Sequence, residues 1–332
     1  MRNNIKKLLW LAMVIIYALS VFFRPAFYVK LFKPDEELNI MMFDSSYATK
    51  GFHLLFADML YALSGQDLKQ TFNAYTPQEA EQGYHLEQTY EKQIISGGNT
   101  SYNKISVSNT TDKEIDIKKL MENYTLISDR KKFKILIIHS HGTEGYIDSG
   151  GDRTENKDKN VVAVGTHLEK ELEKYGFDVL HDIKMHDKDD YNKSYVNSLG
   201  TTKWYLENYD DIGIIIDLHR DAIENEKGEK IKLTYDTGAE KAAQLMMVVG
   251  SDGGGLTHNN YLENLKFAIS IQQIGQDMFE GLFRPVNFRD ERFNQHLNKN
   301  YIILEVGTHG NTIKEAKISV ELFAQVLDKA IK

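Results

Sequence analysis

Three apolar runs in this chain end in residues that carry chemistry. Ile135-Leu136-Ile137-Ile138 leads into His139-Ser140-His141-Gly142, and Ile212-Gly213-Ile214-Ile215-Ile216 leads into Asp217-Leu218-His219-Arg220-Asp221. Tyr301-Ile302-Ile303-Leu304 leads into Glu305-Val306-Gly307. Two histidines and one carboxylate with an open fourth position are the ligand set of hydrolytic rather than structural zinc. His141, His219 and Glu155 make such a set, Glu155 lying in a polar loop 14 residues beyond His141. Zinc held this way polarises a carbonyl and brings the pKa of bound water down to about 7. Glu305 is placed to take a proton from that water and pass it to a leaving amine. Arg220 either orients His219, holds a substrate carboxylate or forms a structural ion pair. His139, two residues before His141, shares its side if the strand continues, so it is either the ligand or a supporting residue. Glu144 is a further carboxylate candidate, and His53, His85, His181, His186 and His309 read as incidental. His and Glu ligands would accept Zn²⁺, Co²⁺ or Mn²⁺.

These residues need strands to deliver them to one edge. In a parallel α/β sheet, ligands bind at the carboxyl ends of the strands. Strands are expected at 133–138, 177–181, 212–218, 230–235, 245–249 and 301–306, and helices at 160–175, 191–209, 260–280 and 312–331, the first stopped at Gly176. Such alternation points to an α/β fold: a three-layer domain over residues 131–332, with a mixed, mostly parallel sheet flanked by helices. There is no internal repeat.

Upstream, the text changes character. Arg2, Lys6 and Lys7 precede an apolar run from Leu8 to Phe23 in which Ser20 is the only polar residue. The run is slightly short for a span of about 17–25 residues. Ala26 to Val29 extend it and Arg24 can snorkel, so residues 1–32 read as a short cytoplasmic tail and a transmembrane helix. The basic tail places everything after Phe32 on the outer side. No small-x-small cleavage site follows, which argues against a cleaved signal peptide. Residues 34–65 read as one or two short amphipathic helices, with Phe52, Leu55, Phe56, Met59, Leu60 and Leu63 at helical spacing. Residues 66–132 are polar, with a weak strand signal at 104–107, so 33–130 is expected to be an extracytoplasmic stalk or a partner-binding surface. The chain has 332 residues, a net charge of −8 and no cysteine. Disulfides and thiolate metal sites are therefore excluded, and no basic surface advertises nucleic-acid binding.

The motifs from about residue 133 to 325 closely resemble the stage II sporulation protein P family, peptidoglycan hydrolases of endospore-forming bacteria. The resemblance rests on Ile138-His139-Ser140-His141 with Glu144-Gly145-Tyr146, on Asn160-Val161-Val162-Ala163-Val164-Gly165, and on Asp217-Leu218-His219-Arg220-Asp221-Ala222. Val248-Val249-Gly250, Phe293-Asn294-Gln295 and Leu304-Glu305-Val306-Gly307 with Asn311-Thr312 continue it in family order. More distantly, the domain is similar to zinc-dependent N-acetylmuramoyl-L-alanine amidases, which use His, Glu and His as ligands and a late-strand Glu in catalysis. The resemblance implies cleavage of the amide joining N-acetylmuramic acid to the L-alanine of the stem peptide, with room for endopeptidase activity on cross-links. It also implies work beside stage II sporulation protein D in septal wall remodelling during engulfment.

Two other functions fit the same residues. One is a catalytically silent wall-binding scaffold, which the intact His141, His219 and Glu305 argue against. The other is a zinc peptidase or deacetylase acting on another extracytoplasmic substrate, since sequence does not separate a lactyl amide from a peptide bond.

Overall fold

The computed structural model describes residues 26–33, 36–43 and 98–331. The chain divides into two units, residues 1–78 and 79–332. In the first, β1 (Ala26–Lys33) and β2 (Glu36–Phe43) form an antiparallel hairpin. Residues 26–32, read as the end of the transmembrane helix, and 36–43, read as amphipathic helix, are thus both extended. The apolar run Leu8–Phe23 and the helical spacing of 52–63 lie outside the described residues. Among the described residues, no helix is long and apolar enough to cross a membrane.

The second unit is built on one eight-stranded sheet. Its strands are β3 (Gly98–Tyr102), β4 (Ile105–Asn109), β5 (Lys134–Ile138), β6 (Asp178–His181), β7 (Ile212–Asp221), β10 (Leu245–Val249), β11 (Val286–Phe288) and β12 (Tyr301–Thr308). The sheet order is β3-β4-β11-β10-β12-β7-β5-β6. The β10–β12 and β3–β4 pairs are antiparallel and the other five neighbouring pairs are parallel. A separate hairpin pairs β8 (Thr234–Asp236) with β9 (Lys241–Ala243). Only the end of the expected 230–235 strand forms, and Lys230 makes an isolated bridge to Glu224. The sheet starts well before residue 131: β3 and β4 come from the stretch read as a stalk and extend one edge.

The central strands read as continuous apolar runs because both faces are covered, as buried parallel strands require. Five helices are described: α1 (Ile117–Met121), α2 (Val161–Lys174), α3 (Ser194–Asn208), α4 (Tyr261–Met278) and α5 (Ile313–Ala330). Asn160 caps α2, its side chain accepting from the Val162 N–H, and Thr312 with Glu315 forms a reciprocal capping box on α5. Strand alternation sorts the residues between faces. Ile135 and Ile137 join the large core with α2, α4 and α5, together with Ile214, Ile216, Leu218, Ile302, Leu304 and Val306. Leu136, Ile138, Ile215 and Tyr301 face the other way, against Tyr205, Leu206 and Tyr209 at the end of α3. The sheet is the middle of three layers.

Candidate active site

That alternation decides where the polar residues go. Asp217 and His219 continue the face of Ile215, and Glu305 continues the face of Tyr301 and Ile303. β7 and β12 are parallel neighbours, and their register sets Glu305 directly beside His219. β5 lies on the other side of β7, with Ile138 opposite Asp217. Residues 139–144 therefore leave the sheet next to His219. The structure brings His141, His219 and Glu305 to one edge, on the face covered by α3.

His219 is held between two carboxylates. Its Nε2 lies 2.9 Å from Asp217 Oδ1, and its Nδ1 lies 3.4 Å from Glu144 Oε2. Burial pushes the imidazole down, but Asp217 and Glu144 outweigh it and hold the ring well above the usual histidine range. Asp217 is itself fixed: it accepts from the Ser140 N–H at 2.7 Å and from the Ser140 hydroxyl at 2.5 Å. Burial raises its pKa, yet His219 and Ser140 bring it down to about 2. A carboxylate behind a histidine fixes the tautomer and orientation of a ligand ring.

Glu144 is brought there by Arg220. The Arg220 backbone N–H donates to Glu144 Oε2 at 3.0 Å, while its guanidinium donates to Gly145 O at 2.9 Å and to Asp152 O at 2.8 Å. Arg220 thus clamps the loop that carries Glu144. Glu155, the carboxylate of the expected ligand set, does not join the histidines. Its side chain is 61% exposed and pairs with Lys188 at 2.9 Å. The Glu144 side chain, in contrast, is 10% exposed.

His139 and His141 also separate. His139 is fully buried, its Nδ1 donating to Leu218 O at 2.9 Å and its Nε2 facing His181 Nε2 at 2.9 Å. Burial, followed by the neighbouring His181, drives its pKa down to about 3, so it is a neutral packing residue. His141 stands at the site. Its ring is 5.4 Å from that of His219, its Nε2 faces Ser194 Oγ at 3.0 Å, and its Nδ1 lies 3.7 Å from Asp187 Oδ2. His309, read as incidental, bonds Ile223 O through Nε2.

Glu305 is 5% exposed. Burial, then Asp221, pushes its carboxyl up to about 8, against the pull of His219. A carboxyl poised near neutral suits acid and base work. The turn beyond it depends on glycine. Gly307 has φ +72°, and a Cβ there would meet Ala243 Cβ at 2.6 Å.

Two imidazoles and a buried carboxylate are a donor set that zinc accepts. The fit is carried by His219 Nδ1 and Glu144 Oε2, with His141 as the third residue. As they stand, the ligand atoms of these three do not all lie within 4.8 Å of one another; among the described residues, those of His167, Glu171 and Glu321 do. That second group lies between α2 and α5, where Lys174 already pairs with Glu171 at 2.5 Å.

Asp187, Ser194 and Asp217 are site residues that sequence reasoning missed. Asp217 was detectable, since two residues before His219 on a strand means the same face. Asp187 was not, because only the folded chain brings it to His141.

The chain matches the family described as stage II sporulation protein P over residues 53–328. No curated protein matches it. Among solved structures it is similar to the CwlD amidase of Clostridioides difficile in complex with the GerS lipoprotein, at 17% identity and a TM-score of 0.38, covering 59% of this chain and 95% of that one. An N-acetylmuramoyl-L-alanine amidase from Clostridium difficile 630 gives 12% and 0.36, covering 60% and 95%. The apo form of the amidase Ami1 from Mycobacterium abscessus gives 12% and 0.33, covering 61% and 97%.

Proposed function

Because this chain belongs to the stage II sporulation protein P family, we propose that it is a zinc-dependent peptidoglycan hydrolase that cleaves the amide between N-acetylmuramic acid and L-alanine. The single observation that carries this reading is the strand register that sets Glu305 beside His219, with Glu144 held against the same imidazole. A buried base adjoining a two-histidine, one-carboxylate set is the equipment of amide hydrolysis. In this reading His141, His219 and Glu144 hold the metal, Glu144 taking the place expected of Glu155. When bound, zinc supplies Lewis-acid polarisation of the scissile carbonyl and activation of water.

The chain's own residues do the rest. Ionised Glu305 accepts the proton of the attacking water and returns it to the leaving nitrogen. Asp217 keeps His219 Nε2 occupied, so that Nδ1 faces the site. Arg220 acts through Glu144 rather than on substrate, since its hydrogen bonds go to the loop around that residue. The basic tail and apolar run before residue 24 anchor the chain in the membrane and place the hydrolase in the septal space, beside stage II sporulation protein D during engulfment. Endopeptidase activity on cross-links belongs to the same proposal.

The test is digestion of purified muropeptides by the zinc-loaded protein, with the products identified by mass spectrometry. Free stem peptides beginning at L-alanine, together with intact glycan, are expected. Products cut only within the peptide would assign a peptidase, loss of acetyl groups alone a deacetylase, and unchanged muropeptides a silent scaffold.

A further inference from the structure

Beside the histidines stands an arginine that the proposed reaction does not use. Arg153 lies in the loop between β5 and α2, and its backbone bridges to Glu144. Its Nε donates to Thr143 Oγ1 at 2.9 Å, and its Nη2 donates to Asp187 O at 2.9 Å and to Asp187 Oδ2 at 3.1 Å. The guanidinium lies 4.3 Å over the ring of Tyr191, and that ring is 4.4 Å from the ring of His141. The side chain is nevertheless 41% exposed. Among the described residues, no hydrogen bond falls on Nη1.

A long, flexible cation has thus been immobilised, with one edge left to solvent next to the site. An arginine stacked on an aromatic ring and fixed through its other nitrogens binds carboxylates well, since the ordering cost is met before the ligand arrives. Asp187 holds the inner edge and takes part of the guanidinium's charge, so a ligand carboxylate has to be received by hydrogen bonds on the outer edge. The repulsion of the nearby Glu155 is reduced by its pairing with Lys188. Geometry narrows the ligand. One ring contact separates Arg153 from Tyr191 and another separates Tyr191 from His141. A group on the second residue of a peptide lies about 7 Å along an extended chain from the first nitrogen. We propose that Arg153, braced on Tyr191, receives a free carboxylate on the second residue of the leaving peptide and makes the enzyme selective for acidic over amidated stems. The proposal rests on the hydrolase reading for its substrate class.

Two synthetic muramoyl dipeptides that differ only in a carboxylate or a carboxamide on the second residue test this. The full chain should cleave the acidic one with a kcat/KM about 10–100-fold higher, the range of a hydrogen bond to a charged group. In Arg153→Gln the ratio should fall to near one, while Arg153→Lys should retain part of it, mostly through KM. Were Arg153 only a prop for Asp187, both substrates would slow alike and the ratio would persist. That result, or a wild-type enzyme indifferent to the two substrates, would overturn the proposal. Calorimetric binding of the two free dipeptides to the wild-type chain and to Arg153→Lys and Arg153→Gln provides a readout independent of cleavage, and the wild-type comparison stands whether or not the variants fold. Selective, Arg153-dependent binding without turnover would sink the hydrolase reading and keep the receptor, and equal binding would sink the receptor alone.

Discussion

Glu305 carries the opposing demands of the site. As a base it must be ionised, yet burial first, and then the neighbouring Asp221, push its carboxyl up from 4.5 to about 8. A carboxyl whose pKa rises on folding stabilises the fold fully below its unfolded value and loses that contribution as pH climbs through its folded value. The metal-free protein should therefore weaken between pH 4.5 and about pH 8 on account of this group. Glu305→Gln keeps the shape without the charge. Thermal melts with a chelator present should show the variant near wild type at the acidic end and more stable at the alkaline end, by about 2–4 °C for each kcal/mol recovered. Loaded with zinc, the same variant should retain metal while losing about 10²–10⁴-fold in rate. Loss of metal would make Glu305 a ligand instead. The two loop glutamates give a second test. Glu144→Gln should lower metal affinity by more than the about 10–100-fold that an outer partner costs. Glu155→Gln should leave it unchanged, because an exposed ion pair contributes about 0–1 kcal/mol. Elemental analysis and metal titration read both, and the opposite order would restore Glu155 as the ligand.

At the scale of elements, the site is built where β5, β7 and β12 end, and these were legible because their apolar runs are unbroken. The ends of those runs also marked His141, His219 and Glu305. Glu144 was harder to favour over Glu155, because the choice depends on how the loop folds back: Glu144 bridges to Arg153 and accepts from the Arg220 N–H, contacts with no sequence period. β11 has three residues, Val286–Phe288, too few to show alternation. α2 carries a quieter constraint. Gly165 lies in mid-helix, where glycine normally costs about 0.5–1 kcal/mol relative to alanine. Here a Cβ would meet His139 Cε1 and Nε2 at 2.7 Å and His181 Nε2 at 2.8 Å. Overpacking typically costs about 1–3 kcal/mol. Gly165→Ala should therefore lower the melting temperature despite its better helix propensity. A higher melting temperature would mean that the His139–His181 pair can move aside, and that it does not fix the path from β5 to His141.

On the scale of the whole molecule, the least legible feature was where the catalytic unit begins. Residues 98–121 looked like polar spacer, because an edge hairpin buries only alternate residues and its apolar signal is short. In the fold, Ile105, Val107 and Ile117 are at most 1% exposed and belong to the main core. β4 pairs with β11, and the Gln272 side chain accepts from the Ser106 N–H at 2.9 Å while donating to its carbonyl at 3.0 Å. A chain beginning at Arg130 would lose three buried apolar side chains, each contributing about 1.5–3 kcal/mol. It would also bare the β11 edge, whose unpaired N–H and C=O groups invite pairing with another chain. A chain beginning at Gly98 keeps both. The longer chain should run as a discrete species in size-exclusion chromatography and show one cooperative melt. The shorter should melt well below it and associate. Equal melting temperatures for the two would show that β3 and β4 only dock on a core complete without them, and would return residues 98–130 to the role of a spacer.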